Sequence, residues 1–184
     1  MDLHAALDVA TAGFARTLAL VKPEQWESAT PNQGWSVRDL VNHVVGGNRR
    51  YVLLLAGAPT AEVEALRDVD HLTDDPYADF LSTAAEVSTA FAEPGVLDRV
   101  AHHGRGDRSG AELLVMRVSE HALHGWDLAR AIGQDDRIDP PVVDVLLAAI
   151  DADPTSPAWA AFTPLPGADD LIGAMRLLAL TGRA

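Results

Sequence analysis

The stretch "RVSEHALHGWDLARAIG", Arg117 to Gly133, decides the fold. Upstream of it, Ser109 and Glu112 form a capping-box signature that opens a long helix, and Gly133 stops that helix after Ala131 or Ile132. At about 100° per residue, Leu113, Glu120, His124, Asp127, Leu128 and Ala131 share an arc of roughly 100°. A polar trio therefore lies on the apolar face. An inward carboxylate without a partner is costly, so Glu120 is expected to be protonated, paired or bound to a cation.

Working outward, helical periodicity dominates and strand-like alternation is scarce. Leu3, Leu7, Ala10, Phe14, Leu18 and Val21 make one apolar stripe on a first helix ending near Pro23. Ser36 with Asp39 caps a second helix that carries Leu40, His43, Val44 and Tyr51 to about Ala56. Asp75-Pro76 starts a third, with Phe80, Ala84, Val87 and Phe91 inside, until Pro94. The helix through "RVSEHALHGWDLARAIG" is the fourth. Asp139-Pro140 opens a short fifth through Ile150, and a last helix runs from about Asp169 to Gly182 with Leu171, Ile172, Met175 and Leu178 as its apolar positions. The proline-rich "DADPTSPAWAAFTPLPG" between them reads as an irregular, surface-hugging connection. The expected architecture is all-α: one domain over residues 1–184, with a four-helix bundle core over about 1–133 and a helical extension over about 134–184.

Charge and composition narrow the function. A formal net charge of −13, with a single lysine and scattered arginines, repels phosphate backbones, so nucleic acid is not an expected partner. No apolar run approaches the ~20 residues of a membrane span, and "MDLHAALDVA" has no basic n-region, so a cytoplasmic protein without membrane contact is expected. The chain has no cysteine, which removes disulfides, thiolate ligands and an internal thiol nucleophile. Any thiol chemistry must import its thiol.

Glu120 and His124, one turn apart, can converge on one ion, and His43 on the second helix is the best third ligand. Two imidazoles and a carboxylate suit zinc with an open position, and nickel, iron or manganese also accept such N/O donors. Asp127 can fix an imidazole tautomer or meet substrate. The plain reading competes: single helix histidines are more often structural than ligating, and Glu-x-x-x-His is common by chance. His121 is expected to pack at a helix interface, although His121 with His124 is a rival ligand pair. His4 and His71 are expected to be solvated. In "HHGRGDRSG", His102 and His103 offer a second metal or anion locus, against the simpler reading of a polar connection. Arg49-Arg50 can meet an anionic substrate, with a solvated helix face the safer expectation. Trp26, Trp35, Trp126 and Trp159 are expected to anchor the core or its boundary.

"GWSVRDLVNHVVGGNRRY" (Gly34 to Tyr51), "EHALHGWDLARAIG" (Glu120 to Gly133) and "LLALTGR" (Leu177 to Arg183) together resemble the DinB-like, mycothiol-dependent maleylpyruvate isomerase family, and are more similar to its short actinobacterial members than to its characterised type. The resemblance covers most of the chain in order. It implies a DinB-like four-helix bundle with a divalent metal, usually zinc, held by His43, Glu120 and His124. It also implies mycothiol as the thiol cosubstrate in isomerase or S-transferase chemistry on a small electrophile. The characterised type has a second, C-terminal domain that helps close the site, where about fifty residues follow Gly133 here, and no substrate contacts carry over. Two other classes of function remain open: a non-catalytic metal or small-molecule binding module, and a structural helical protein whose polar residues pair with one another. Bundles with broad apolar faces often pair, so a homodimer is a further expectation.

Overall fold

The computed structural model describes residues 1–104, 106–156 and 158–184. The helices are α1 (Leu3–Leu18), α2 (Val37–Leu55), a short α3 (Thr60–Glu64), α4 (Pro76–Phe91), α5 (Gly110–Ile132), α6 (Pro140–Ala152) and α7 (Gly173–Leu180). The architecture is all-α and DinB-like. In the bundle, α1 packs chiefly on α5 and α2 on α4, with α2 also against α5 and α1 against α4; α6 lies on α1, α5 and α7.

The caps act as the sequence suggests. Ser36 accepts from the Asp39 N–H while Asp39 accepts from the Ser36 N–H at 2.9 Å, and Ser109 and Glu112 repeat the exchange at the start of α5. Asp75 caps α4 by accepting from the Ala78 N–H. Gly133 ends α5 at φ +69°, a left-handed conformation open to glycine at no steric cost. Asp139 does not cap α6: its carboxylate is drawn away to Arg16, 3.1 Å distant.

Three expectations need correction. Helix α1 stops at Leu18, and the backbone turns through a 3-10 turn at Pro23–Gln25. The last helix starts at Gly173 rather than near Asp169, behind a 3-10 turn at Ala168–Asp170, and Ile172 and Met175 are exposed. "HHGRGDRSG" is not a plain connection but bridges a two-residue antiparallel hairpin, β1 (Val100–Ala101) with β2 (Arg108–Ser109), which clamps the entry to α5; its Arg105 lies outside the described residues. The segment after α6 stays largely at the surface as expected, and Ala158, Phe162 and Pro164 in it also wall a cavity; its Pro157 lies outside the described residues.

The core falls into two apolar clusters. One gathers around Leu7, Leu54, Phe91, Leu114 and Val118, the other around Phe14, Leu40, Phe80 and Leu128. Between them lies a polar layer with one residue from each bundle helix: Thr11, Asn48, Thr83 and His121. The Thr11 hydroxyl donates to Nδ1 of His121 (2.9 Å), Nε2–H of His121 donates to Oδ1 of Asn48 (3.0 Å), and Nδ2 of Asn48 donates to the Thr83 hydroxyl (3.3 Å), which donates to the Asp79 carbonyl (2.9 Å). Every link is neutral and satisfied, which makes the layer tolerable in a dry interior and binds the four helices in register.

Candidate metal centre and its cavity

Helix α5 carries a second set of polar groups one turn from His121, and these face a cavity of about 1070 Å³. Oε2 of Glu120 lies 3.0 Å from Nε2 of His43 on α2 and 3.5 Å from Nε2 of His124. One ligand atom from each of the three residues falls within 4.8 Å of the others, the single such group among the described residues. Helix geometry explains the pairing of Glu120 with His124, four residues apart on one face. His43 reaches them because α2 packs against α5. The Trp35 ring covers both imidazoles, with centroids 4.8 Å from His43 and 5.9 Å from His124.

Asp127 holds His124 in place. It accepts from Nδ1–H of His124 (3.0 Å), from Nδ2 of Asn32 (2.9 Å), and from Nε and Nη2 of Arg183 (2.9 and 2.7 Å). With Nδ1–H tied to Asp127, Nε2 of His124 is the ring atom turned toward Glu120, and on losing its proton it offers the lone pair a metal ligand needs. Asp127 is 1% exposed, and four charged or polar donors compensate its burial. Burial pushes its carboxyl upward, but His124 and Arg183 outweigh that and draw it down to about 2. Arg183, in the terminal "LTGR", thus closes the chain end onto α5.

The same balance operates at the cluster. Burial opposes ionisation of Glu120, yet His43 and His124 together hold its carboxyl well below the usual carboxylate range. Burial lowers His43, keeping its imidazole neutral. Burial also acts to lower His124, but its bonds to Asp127 and Glu120 prevail and raise it. Two nitrogen donors and one ionised oxygen donor at this spacing fit a divalent ion with N/O preference.

The remaining sequence candidates separate cleanly. His121 turns away from the cluster into the polar layer, which removes the rival pair with His124. His4 is exposed as expected, but His71 is not: it is 4% exposed, and Nε2–H donates to the Leu66 carbonyl at 2.8 Å. His71 fits because Gly46 of α2 leaves the space, where a Cβ would overlap its ring. His102 is exposed and pairs with Asp107, while His103 lines the cavity. Trp26, Trp35 and Trp159 sit at the boundary and Trp126 is buried.

Sequence reasoning missed Asn32, the function of Arg183, and Arg117. Arg117 is fully buried, 3.5 Å from Glu120, with its guanidinium over the Tyr51 ring at 5.1 Å. The signal was present in "VVGG": Gly47 in mid-helix costs about 1 kcal/mol against alanine, and a Cβ there would overlap Nη1 of Arg117.

Comparison with known proteins follows the same outline. The uncharacterized proteins Rv0738 and MT0763 of two Mycobacterium tuberculosis strains are each 34% identical over 149 residues, which is 81% of this chain and 78% of theirs. The crystal structure of the mycothiol-dependent maleylpyruvate isomerase superposes with a TM-score of 0.62 at 21% identity, covering 81% of this chain and 69% of that one; a mutant of the same enzyme gives 0.63. At that identity the superposition establishes the shared fold. The model of the mycothiol maleylpyruvate isomerase N-terminal domain matches residues 7–129, a segment that contains His43, Glu120 and His124. With two thirds of its length inside that match, the chain belongs to the mycothiol maleylpyruvate isomerase N-terminal domain family.

Proposed function

We propose that this protein is a divalent-metal-dependent enzyme that uses an exogenous low-molecular-weight thiol, mycothiol, to isomerise or S-transfer a small electrophile. The observation that carries the reading is the convergence of His43, Glu120 and His124 beside a cavity of about 1070 Å³. Family membership supports the thiol, and the absence of cysteine makes an external one necessary. The three residues would hold the ion, with zinc the best match to two imidazoles and a carboxylate. When bound, such an ion lowers the pKa of a coordinated thiol and presents it as a thiolate.

The protein's own groups do the rest. Asp127, held by Asn32 and Arg183, keeps Nδ1 of His124 protonated and its Nε2 free to ligate. Trp35 packs beside the two imidazoles. Phe162 and its neighbours form part of the wall, and Arg183 lies over Phe162 at 5.8 Å, so the C-terminal segment contributes to the chamber in which a thiol and an electrophile would meet.

The test is turnover by zinc-loaded protein with mycothiol, using maleylpyruvate and a panel of epoxides and chlorinated aromatics. Thiol-dependent product formation that disappears in His124→Ala supports the reading. Stoichiometric zinc without turnover across the panel would instead make the chain a non-catalytic metal-binding module.

A further inference from the structure

The cavity inverts the charge of the protein. The chain has 27 Asp and Glu against 14 Lys and Arg, yet among the described residues six arginines and only three carboxylates line the cavity. Structural duties account for several of these arginines. Arg183 binds Asp127, Arg67 pairs with Glu64, Arg108 donates to the Asp107 carbonyl at 2.7 Å, and Arg130 lies over Trp126 at 5.3 Å and reaches Asp136. Arg50 has no such partner among the described residues, and Arg117, although it lies over Tyr51 and near Glu120, leaves its donors unmet.

Arg117 is 0% exposed, and its Nε, Nη1 and Nη2 make no hydrogen bond; its nearest charge is Glu120 at 3.5 Å. A guanidinium carries five N–H donors, and leaving them buried and unmet is costly. Arg50 stands seven residues beyond His43 on α2, two helical turns along the same face. It is half-buried in the cavity wall and forms no ion pair or hydrogen bond among the described residues. Burial, then the facing charges of Arg67 and Arg117, hold its guanidinium below the ordinary value. Two cations on facing helices repel one another, and the Glu120 and Tyr51 contacts of Arg117 leave its donors unspent. Their arrangement becomes favourable when an anion sits between them.

We propose that Arg50 and Arg117 form an oxyanion subsite that takes a carboxylate or phosphate group of the substrate. Arg50 supplies the forked donors, and Arg117 supplies buried charge behind it. Because Arg117 lies against Glu120, the anionic group would sit within a few bonds of the reactive carbon, which selects small charged electrophiles over neutral aromatic ones. The assignment rests on the reading above only in treating the cavity as the substrate chamber.

Calorimetric titration tests it with succinate, inorganic phosphate and dimethyl succinate against wild type, Arg50→Gln and Arg50→Lys, each metal-free and zinc-loaded, with folding followed by circular dichroism. Succinate, phosphate or both should bind metal-free wild type, and the ester should not. Arg50→Gln should weaken binding about tenfold or more, Arg50→Lys less, with zinc stoichiometry unchanged. Preference for succinate or for phosphate identifies the group. Equal affinity in wild type and Arg50→Gln, no binding of either anion, or binding seen only with zinc and indifferent to Arg50 would overturn the subsite. Zinc content, measured separately, judges the metal reading on its own.

Discussion

His121 and His124 sit one turn apart on α5, both buried, and the surroundings of each have opposite consequences. Around His121 every partner is neutral: Thr11 donates, Asn48 accepts, and the chain of bonds ends on a backbone carbonyl. No donor or acceptor is left for a ligand. Around His124 the partners are carboxylates, one on each side, and the cluster opens on a cavity. Helix position alone therefore does not make a histidine a strut or a ligand. The charges packed against it do.

Substitutions can break or sharpen this contrast. The largest effect is expected from Asp127→Ala, which strips Arg183 and His124 of their shared partner. Chemical denaturation should show a loss of about 3–5 kcal/mol, as for other broken buried ion pairs, and zinc affinity should fall about 10–100-fold. Glu120→Ala should separate the two regions: zinc titration should find affinity lowered more than about 100-fold, while the His121 layer and the cooperative melt survive. His121→Ala should do the converse, costing about 2–3 kcal/mol in stability through the orphaned Thr11 and Asn48 with zinc affinity unchanged.

The smallest effect is a pH slope. Burial, then Arg117, keeps His121 well below its ordinary value of 6.5, so the folded protein holds this imidazole neutral while the unfolded chain protonates it. Below pH 6.5 the unfolded state binds the extra proton, and stability falls as pH falls, by up to about 1.4 kcal/mol per pH unit from this group. In chelator-treated protein, His121→Gln should flatten the slope by that amount. An unchanged slope would show that His121 is free to protonate in the fold.

Most of the fold was legible because helix caps and apolar periodicity are local. Ser36–Asp39, Asp75-Pro76, Ser109–Glu112 and Gly133 mark helix boundaries that the structure keeps. The proposed metal triad could be singled out because Glu120 and His124 share a face, and because an inward carboxylate demands a partner. What escaped depends on distant segments meeting. Nothing near Arg183 in the chain points to Asp127, 56 residues away, and nothing near Asn32 does either. His71 read as solvated because its burial depends on the absent side chain of Gly46 on another element. That the segment after α6 would wall the cavity was hidden for a similar reason: its prolines signal irregularity, not what it faces.

The central claim, that His43, Glu120 and His124 bind one metal ion, is tested most directly by X-ray absorption of the zinc-loaded protein. The account predicts one zinc per chain with two imidazole nitrogens at about 2.0–2.1 Å and a carboxylate oxygen at about 2.0–2.2 Å, an imidazole signal that drops to one ring in His43→Ala. A zinc environment without imidazole scattering, or one unchanged in His43→Ala, would contradict it.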